Sequence, residues 1–531
     1  MNHATRRSFL ARGAAFAAAT LALSKPSAWP KPLLAMPAPE FDADDATLRT
    51  AYRAALACPE QNTVTLAGFP DPVLIEGSVY RGVWLECAPQ EGLVYSLFNP
   101  AVGIANHRVF FDLQREDGYF PCCVQMDFRG AGQIQMVVPI AATAYELFER
   151  FGDERFLDIA YRSSARWDGW LMRYRNTRAT GLCEGFCEFD TGHDNSPRWR
   201  GVPKQCPNKD ARVVPPLPGL PRLCPDLSAT VYGGRVALAK MARALGRSSE
   251  ADRWEGSAAA LRRAILERLY DPKDACFYDL DSENKFVRVR GDLLTRVLGE
   301  HVVDQTTFDE IFRKQIHNSE AFWAPYPFPS IALDDPTFVR PIPSNSWGGA
   351  SQALTALRAP RWMEHYGKPA DLAYVMQQWV RAMIGAGYDF RQQLDPLTGQ
   401  FSTEDPGGYS PAALVLLDYL WRLHGVRCSG DFLEWNCRRP ENCATATFSI
   451  QTSHGSALLQ HTKMESLLTL AGKTILKVEG TARVLTDARG RVTRIVGIHD
   501  KTADVRLSWP SGQSELLQVA PNSTRPASPL G

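Results

Sequence analysis

Long amphipathic stretches joined in pairs by a glycine constrain this chain more than any other feature. Between residues 137 and 425 apolar side chains recur at three- and four-residue steps, the spacing of one buried helix face. The pattern predicts helices over 137–152 and 156–174, joined by Phe151-Gly152-Asp153-Glu154. A glycine there can take the left-handed conformation that stops one helix, and the acids suit the positive start of the next. Similar junctions recur at Gly246, between 226–245 and 249–269, and at Gly367, between 346–366 and 370–386. A last helix is read over 411–423. A solenoid needs a short, constant period, yet the junctions are unevenly spaced and irregular inserts at 176–225 and 317–345 interrupt them. The expected fold is therefore mainly α: an (α/α)6 toroid over 116–426 with functional loops at one mouth.

The flanks read differently. Strands are expected at 447–450, 474–484, 491–498 and 505–509, with a hairpin turn at 487–490, giving a small β-domain over 428–525. A short N-terminal β-containing segment is expected over 40–115, with alternating runs at 63–66 and 93–97. Residues 1–28 pair Arg6-Arg7 with an uncharged, Ala-rich run, the layout of a twin-arginine-type signal peptide. The apolar run is too short to span a bilayer. The expectation is a periplasmic or secreted protein with no stable membrane insertion, its precursor partnered by the twin-arginine export machinery.

A formal charge of +1 gives no electrostatic case for nucleic acid. The 12 cysteines all follow the signal. A chain that folds before export cannot depend on disulfides, and Cys437 with Cys443 is the favoured bridge. The spacings Cys183/Cys187 and Cys206/Cys224 lack a second tight pair or a histidine, so neither a metal nor a cofactor is expected.

Chemistry concentrates in Glu188-Phe189-Asp190-Thr191-Gly192-His193-Asp194-Asn195-Ser196-Pro197-Arg198-Trp199, which Gly192 and Pro197 mark as a loop. A nucleophilic triad would need a Ser on a sharp turn, and no Gly-x-Ser-x-Gly is present. No His-x3-His or His-Glu-x2-His supplies a metal. What remains is a carboxyl in an aromatic, loop-lined mouth, where apolar surroundings raise the pKa as a general acid requires.

Residues 190–199 resemble the Glu-Ser-Gly-aromatic-Asp-Asn-Ser-Pro-Arg-Trp loop of six-hairpin α/α-toroid glycosidases, the clan of trehalase, processing α-glucosidase I and mannosylglycerate hydrolase. Gly181-Leu182-Cys183-Glu184 is similar to the Gly-Leu-x-Glu before that loop. Asp395-Pro396-Leu397-Thr398-Gly399 with Tyr409-Ser410-Pro411-Ala412-Ala413 is similar to the clan's second catalytic segment. The likeness spans 112–426. It implies Asp194 as general acid and an inverting mechanism, in which a second carboxyl activates water. That second position, four residues before Pro396, holds Gln392, which cannot take a proton. His193 replaces the usual Trp or Met, and no large N-terminal β-sandwich of the family's kind is obvious in the sequence.

Glu404 is the first substitute for the base, with Asp405, Asp395 and the pair Asp334-Asp335 behind it. Asp190, His193, Asn195 and Tyr409 are expected at the substrate. Arg198 would orient a sugar hydroxyl or carboxylate, or close an ion pair within the loop. Trp199, Trp323 and Trp347 would stack on sugar faces or fill the core. Asn345-Ser346-Trp347-Gly348-Gly349 reads as a helix start, with Ser346 as its N-cap. The implied function is an exported glycoside hydrolase acting on a glucosidic or mannosidic oligosaccharide or small glycoside. The alternative is a non-catalytic carbohydrate-binding protein that has lost its base. A polysaccharide lyase on the same toroid would instead want a Tyr or His base beside an Arg-rich cleft.

Overall fold

The computed structural model describes residues 37–404 and 406–526. The export-signal reading of residues 1–28, and Asp405, lie outside them. Twelve α-helices stand among the described residues: α1 (Ala46–Gln61), α2 (Ala88–Tyr95), α3 (Pro100–Asp112), α4 (Ile140–Phe151), α5 (Glu154–Tyr174), α6 (Pro225–Ala244), α7 (Ser248–Leu269), α8 (Leu293–Gly299), α9 (Gln305–Ile311), α10 (Ala353–Met363), α11 (Pro369–Gly385) and α12 (Ser410–His424). The even-numbered helices pack in sequence, α2 on α4, α4 on α6, and on through α8, α10 and α12, which returns to α2. This closes a ring. Helix α3 packs outside on α2, α5 on α4 and α6, α7 on α6, α11 on α10 and α12, and α1 on α12.

Burial explains the two layers. In α12 every residue but Asp418 and Arg422 is buried, and in α10 all but Arg361, as expected for helices enclosed on all sides. The outer α7 buries five residues on one stripe, Ala251, Ala258, Leu261, Ile265 and Leu269. The junction glycines Gly152, Gly246 and Gly367 take φ of 68°, 73° and 68°, the left-handed stop that their positions suggested.

Three elements differ from expectation. Residues 93–97, read as alternating strand, fall in α2 and the turn after it; a short helix buried all round loses its helical polarity pattern. Helices α1 to α3 thus lie inside the 40–115 segment, beside its strands Glu40–Ala43, Thr63–Leu66, Phe69–Leu74 and Gly82–Trp84. The helix read from 346 begins only at Ala353, because Gly348-Gly349 interrupt it, and Ser346 caps no helix. The 474–484 run divides into Lys473–Glu479 and Ala482–Asp487, which belong to different sheets. Gly480, with φ 94°, turns the chain between them, and a Cβ there would sit 2.2 Å from the Asp504 carbonyl.

The C-terminal region holds two antiparallel sheets, of seven and five strands. The N-terminal strand Glu40–Ala43 joins the larger by pairing with Ala446–Thr452. Cys437 and Cys443 are both free thiols, so the favoured bridge is not formed. No helix of the described residues is long and apolar enough to cross a membrane.

Arg483, on Ala482–Asp487, fastens the five-stranded sheet to the ring. Its Nη1 and Nη2 donate to Glu364, just past α10, at 2.7 and 2.8 Å, and its Nε donates to Asn436 at 2.8 Å. Burial opposes charge on Glu364, yet Arg483 prevails and brings its pKa down to about 2. Removing the guanidinium in Arg483→Ala is expected to destabilise the protein by about 3 kcal/mol in urea titration, since a largely buried carboxylate is left unpaired. The Glu364 contribution to stability is full above the ordinary Glu pKa. It is lost as pH falls from there towards about 2, and acid denaturation should be less steep in that window for Arg483→Ala.

Candidate active site

The loop that carries the sequence motif is anchored from beneath by two buried ion clusters. Asp190 is wholly enclosed: its carboxylate accepts the backbone N–H of Ile134 at 2.9 Å, Phe186 at 2.7 Å and Cys187 at 3.1 Å. Arg175 grips it through both terminal nitrogens, Nη2 to Oδ1 at 3.0 Å. With every lone pair engaged, Asp190 holds the turn Glu188–Thr191 and does not meet a substrate.

Arg198 forms the second cluster. Its Nη1 and Nη2 each lie 2.7 Å from Asp226, in the first turn of α6, while Nε and Nη2 reach Asp279 at 2.6 Å. Nη1 also donates to His193 Nδ1 at 3.0 Å. That places the ring proton on Nε2, 2.7 Å from Asp292 Oδ1. Burial, with Arg296 nearby, lowers the His193 pKa to about 4 despite Asp292, so the ring is neutral. Trp199 is buried too, its Nε1 donating to Thr191 at 2.8 Å. Arg198 therefore closes the ion pair, and Trp199 and His193 are packed inside the loop; none of the three offers a face to a sugar.

Above these clusters Gly192 turns the chain and Asp194 emerges, half-buried. Its backbone carbonyl accepts from Trp347 N at 3.0 Å and its Oδ2 accepts from Asn345 Nδ2 at 3.0 Å. Burial raises the Asp194 pKa, with the Asn345 amide and the charge of Lys204 acting against the rise. Asn345 Oδ1 in turn accepts from Gln392 Nε2 at 2.9 Å, and Gln392 Oε1 accepts from the Tyr80 hydroxyl at 3.0 Å. Residues far apart in the chain, Asp194 and Gln392, are thus joined through one side chain. Asn195 is exposed and donates to the Asn345 carbonyl at 2.8 Å. Tyr409 is buried, its hydroxyl 2.5 Å from Glu76, with its ring 6.2 Å from that of Tyr80.

Other expectations do not gather here. Glu404 stands exposed on a bend. Asp395 caps a turn through Leu397 N and Thr398 N and pairs with Arg340 at 3.0 Å. Asp334 pairs with Arg290 at 2.7 Å, and Asp335 accepts Arg290 N at 2.9 Å. Trp323 belongs to another cluster, stacked 5.4 Å from Tyr374. Trp347 does reach the site, its ring 5.0 Å from His193 and 5.1 Å from the Arg296 guanidinium.

The ring interior adds residues that sequence reading missed. Glu86 follows the strand Gly82–Trp84, Glu91 lies on α2, Arg296 on α8 and Arg358 on α10, all buried. A Cβ on Gly192 would fall 1.6 Å from Glu86 Oε2, so glycine alone lets this carboxyl press against the motif loop. Glu86 Oε2, all three Arg358 guanidinium nitrogens and two of Arg296 have no hydrogen-bond partner. Burial and the nearby Asp194 charge raise Glu86 to about 7 against the pull of Arg358 and Arg296; burial raises Glu91 to about 8. Buried polar groups are ordinarily satisfied, so an unsatisfied set at the ring's centre is complementary to a hydroxyl-rich ligand. The signal was present as a charge inside an apolar run, Arg296 in Leu293-Leu294-Thr295-Arg296-Val297 and Arg358 in Ala353–Met363.

A closed helical ring with a carboxyl-bearing loop at its mouth is the architecture of a glycoside hydrolase. Residues 95–416 match the family model of the mannosylglycerate hydrolase MGH1-like glycoside hydrolase domain, and the chain belongs to that family. Among solved structures, the GH63 mannosylglycerate hydrolase from Thermus thermophilus in complex with Tris superposes with a TM-score of 0.58 at 16% identity, covering 70% of this chain and 99% of that one. Its complex with glucose gives 0.55 at 19%, with the same coverage. Neutral trehalase Nth1 from Saccharomyces cerevisiae gives 0.51 at 13%, covering 69% of this chain and 80% of its own. At these identities the likeness is one of fold. No curated protein matches the sequence.

Replacing Arg198 by Ala leaves Asp279 without its cation and Asp226 with only Arg296, 3.6 Å away. We expect a loss of about 3–5 kcal/mol in urea titration. Arg198→Lys should recover only part of it, because an ammonium cannot reproduce the fork that serves both carboxylates.

Proposed function

We propose that this glycoside hydrolase is an exported, inverting enzyme on an (α/α)6 toroid. Its substrate would be a glucosidic or mannosidic oligosaccharide or a small glycoside, with Asp194 as the general acid. The observation that carries this reading is the meeting of Asp194 with unpartnered buried donors and acceptors at the ring's centre. Arg358, Arg296 and Glu86 offer buried donors and an acceptor without partners, a set suited to hydroxyl groups. Asp194, raised by burial, suits protonation of the oxygen that leaves. Inversion also needs a carboxyl to receive a proton from water. Gln392 lacks one and Glu404 is exposed; of the buried carboxyls that feel the Asp194 charge, Glu76 is held by the Tyr409 hydroxyl and Glu188 by Asn195 N, and we assign the base to Glu86, whose Oε2 has no partner and whose pKa of about 7 leaves it partly ionised at neutral pH.

Asp194→Asn should lower kcat by about 10²–10⁴ on aryl glycosides or disaccharides, the usual worth of a general acid, with the fold retained by circular dichroism. Glu86→Gln should do the same. Turnover that survives Glu86→Gln but not Asp194→Asn would remove Glu86 from the base role alone. With Asp194 as acid, activity must decline as pH rises through its raised pKa, because the proton to be donated is then gone.

One observation favours a second reading, a carbohydrate binder without turnover. The base position is occupied by an amide, held between Asn345 and Tyr80. Saturable sugar binding with no hydrolysis, together with hydrolysis gained in Gln392→Glu, would establish it.

A further inference from the structure

We propose that Cys187 and Cys206 form an oxidisable dithiol that closes into a disulfide across the base of the motif loop. The two residues bracket that loop: Asp190, His193, Asp194, Arg198 and Trp199 all lie between them. Both are fully or nearly buried and pack with Phe186 in one small cluster. Their Sγ atoms lie within 4.8 Å of each other and of the Asp190 carboxylate, and the Cys187 thiol donates to the Gly132 carbonyl at 3.9 Å.

The backbone holds them in this relation. Glu188 N donates to the Pro203 carbonyl at 3.0 Å and Phe189 N to that of Lys204 at 3.1 Å, so the chain after Cys187 is zipped to the chain before Cys206. Cys206 N is fixed in turn on the Gly132 carbonyl at 2.8 Å. Bond formation requires the sulfurs to close from within 4.8 Å to about 2.05 Å.

Two thiols beside a carboxylate also suggest a cation, and here that reading fails. Arg175 already fills the place, bound to both oxygens of Asp190 and donating to Cys206 Sγ at 3.7 Å. Asp190 has spent its remaining lone pairs on three backbone N–H groups. A metal ion would meet a fixed positive charge and no free carboxylate ligand.

The redox step is thiol–disulfide exchange. The Cys187 and Cys206 thiols lose two protons and two electrons as the S–S bond forms, and a small-molecule or protein disulfide oxidant takes both up as it is cleaved to two thiols. Such oxidants are met by an exported chain. The bridge would limit how far the loop opens when the chain unfolds, and that constraint stabilises more as the enclosed loop lengthens. It would tie the segment carrying Asp194 to its own base without altering the mouth.

The test uses the full chain, reduced with dithiothreitol and then treated with oxidised glutathione. One sample is treated folded, and another is unfolded and refolded in a glutathione redox buffer. Alkylation and peptide mass mapping are expected to find Cys187 linked to Cys206, two fewer free thiols, and full reversal by dithiothreitol. The oxidised form should melt several degrees above the reduced one, and Cys206→Ser should lose both the link and the shift. Should Cys206→Ser fail to fold, the wild-type map decides alone. The proposal is overturned if both cysteines remain fully alkylated after both treatments, or if either is joined to a different cysteine.

Discussion

The guanidinium of Arg198 is the tie between the motif loop and the helical ring. It sits between Asp226, in the first turn of α6, and Asp279, on the short strand Asp279–Leu280, and it also orients His193. Asp226 and Asp279 come from different parts of the chain outside the loop, so the loop's anchored shape depends on tertiary structure. A small four-stranded sheet, in which Glu184–Gly185, Arg222–Leu223, Asp279–Leu280 and Phe286–Val287 lie side by side, brings the loop's start and Asp279 together. Burying three charges in this way is tolerable because the fork geometry of Arg satisfies both carboxylates at once. Asp194 inherits its position from that anchor and from the Trp347 and Asn345 contacts above it.

Beyond the anchor the balance of charge changes. Asp190, Asp226 and Asp279 are matched by Arg175 and Arg198, and they serve the architecture. Glu86, Arg296 and Arg358 retain unpaired atoms in the same buried interior, where an unsatisfied group costs about 1–3 kcal/mol. A fold that satisfies its structural ions so completely, yet leaves a neighbouring set open, has an interior divided between support and binding. Raised pKa values on Glu86 and Asp194 follow from the same burial, and they fall where proton transfer would be useful.

The legibility of this arrangement in the sequence was uneven, for identifiable reasons. Helix pairs and their glycine stops could be read because 3.6-residue periodicity and left-handed caps are local properties. The motif loop could be singled out because a dense polar loop between apolar helices is conspicuous, and Asp194 within it through the resemblance to the six-hairpin glycosidase motif. Its neighbours were harder. Asp190, Arg198 and Trp199 have the residue types of a sugar site, and only their partners, Arg175, Asp226 with Asp279, and Thr191, show them to be structural. Glu404 has the right chemistry in the right stretch of chain and lies on an exposed bend. Trp323 stacks in a separate aromatic cluster with Tyr374. Glu86 carries no local mark of its importance; its approach to Gly192, 106 positions away in the chain, exists only in the folded structure.

By itself, then, the amino-acid order determined what depends on near neighbours: helix positions, the stops at Gly152, Gly246 and Gly367, the motif loop, and the absence of a carboxyl at Gln392. Tertiary structure alone decided which polar groups are consumed and which stay open, because that depends on partners from tens to more than a hundred residues away. The ion pairs of Arg198, the Asn345 link between Asp194 and Gln392, and the approach of Glu86 to the loop all exist only in the folded structure. Electrostatic roles are set by burial and by distance in space, and neither quantity exists until the chain has folded.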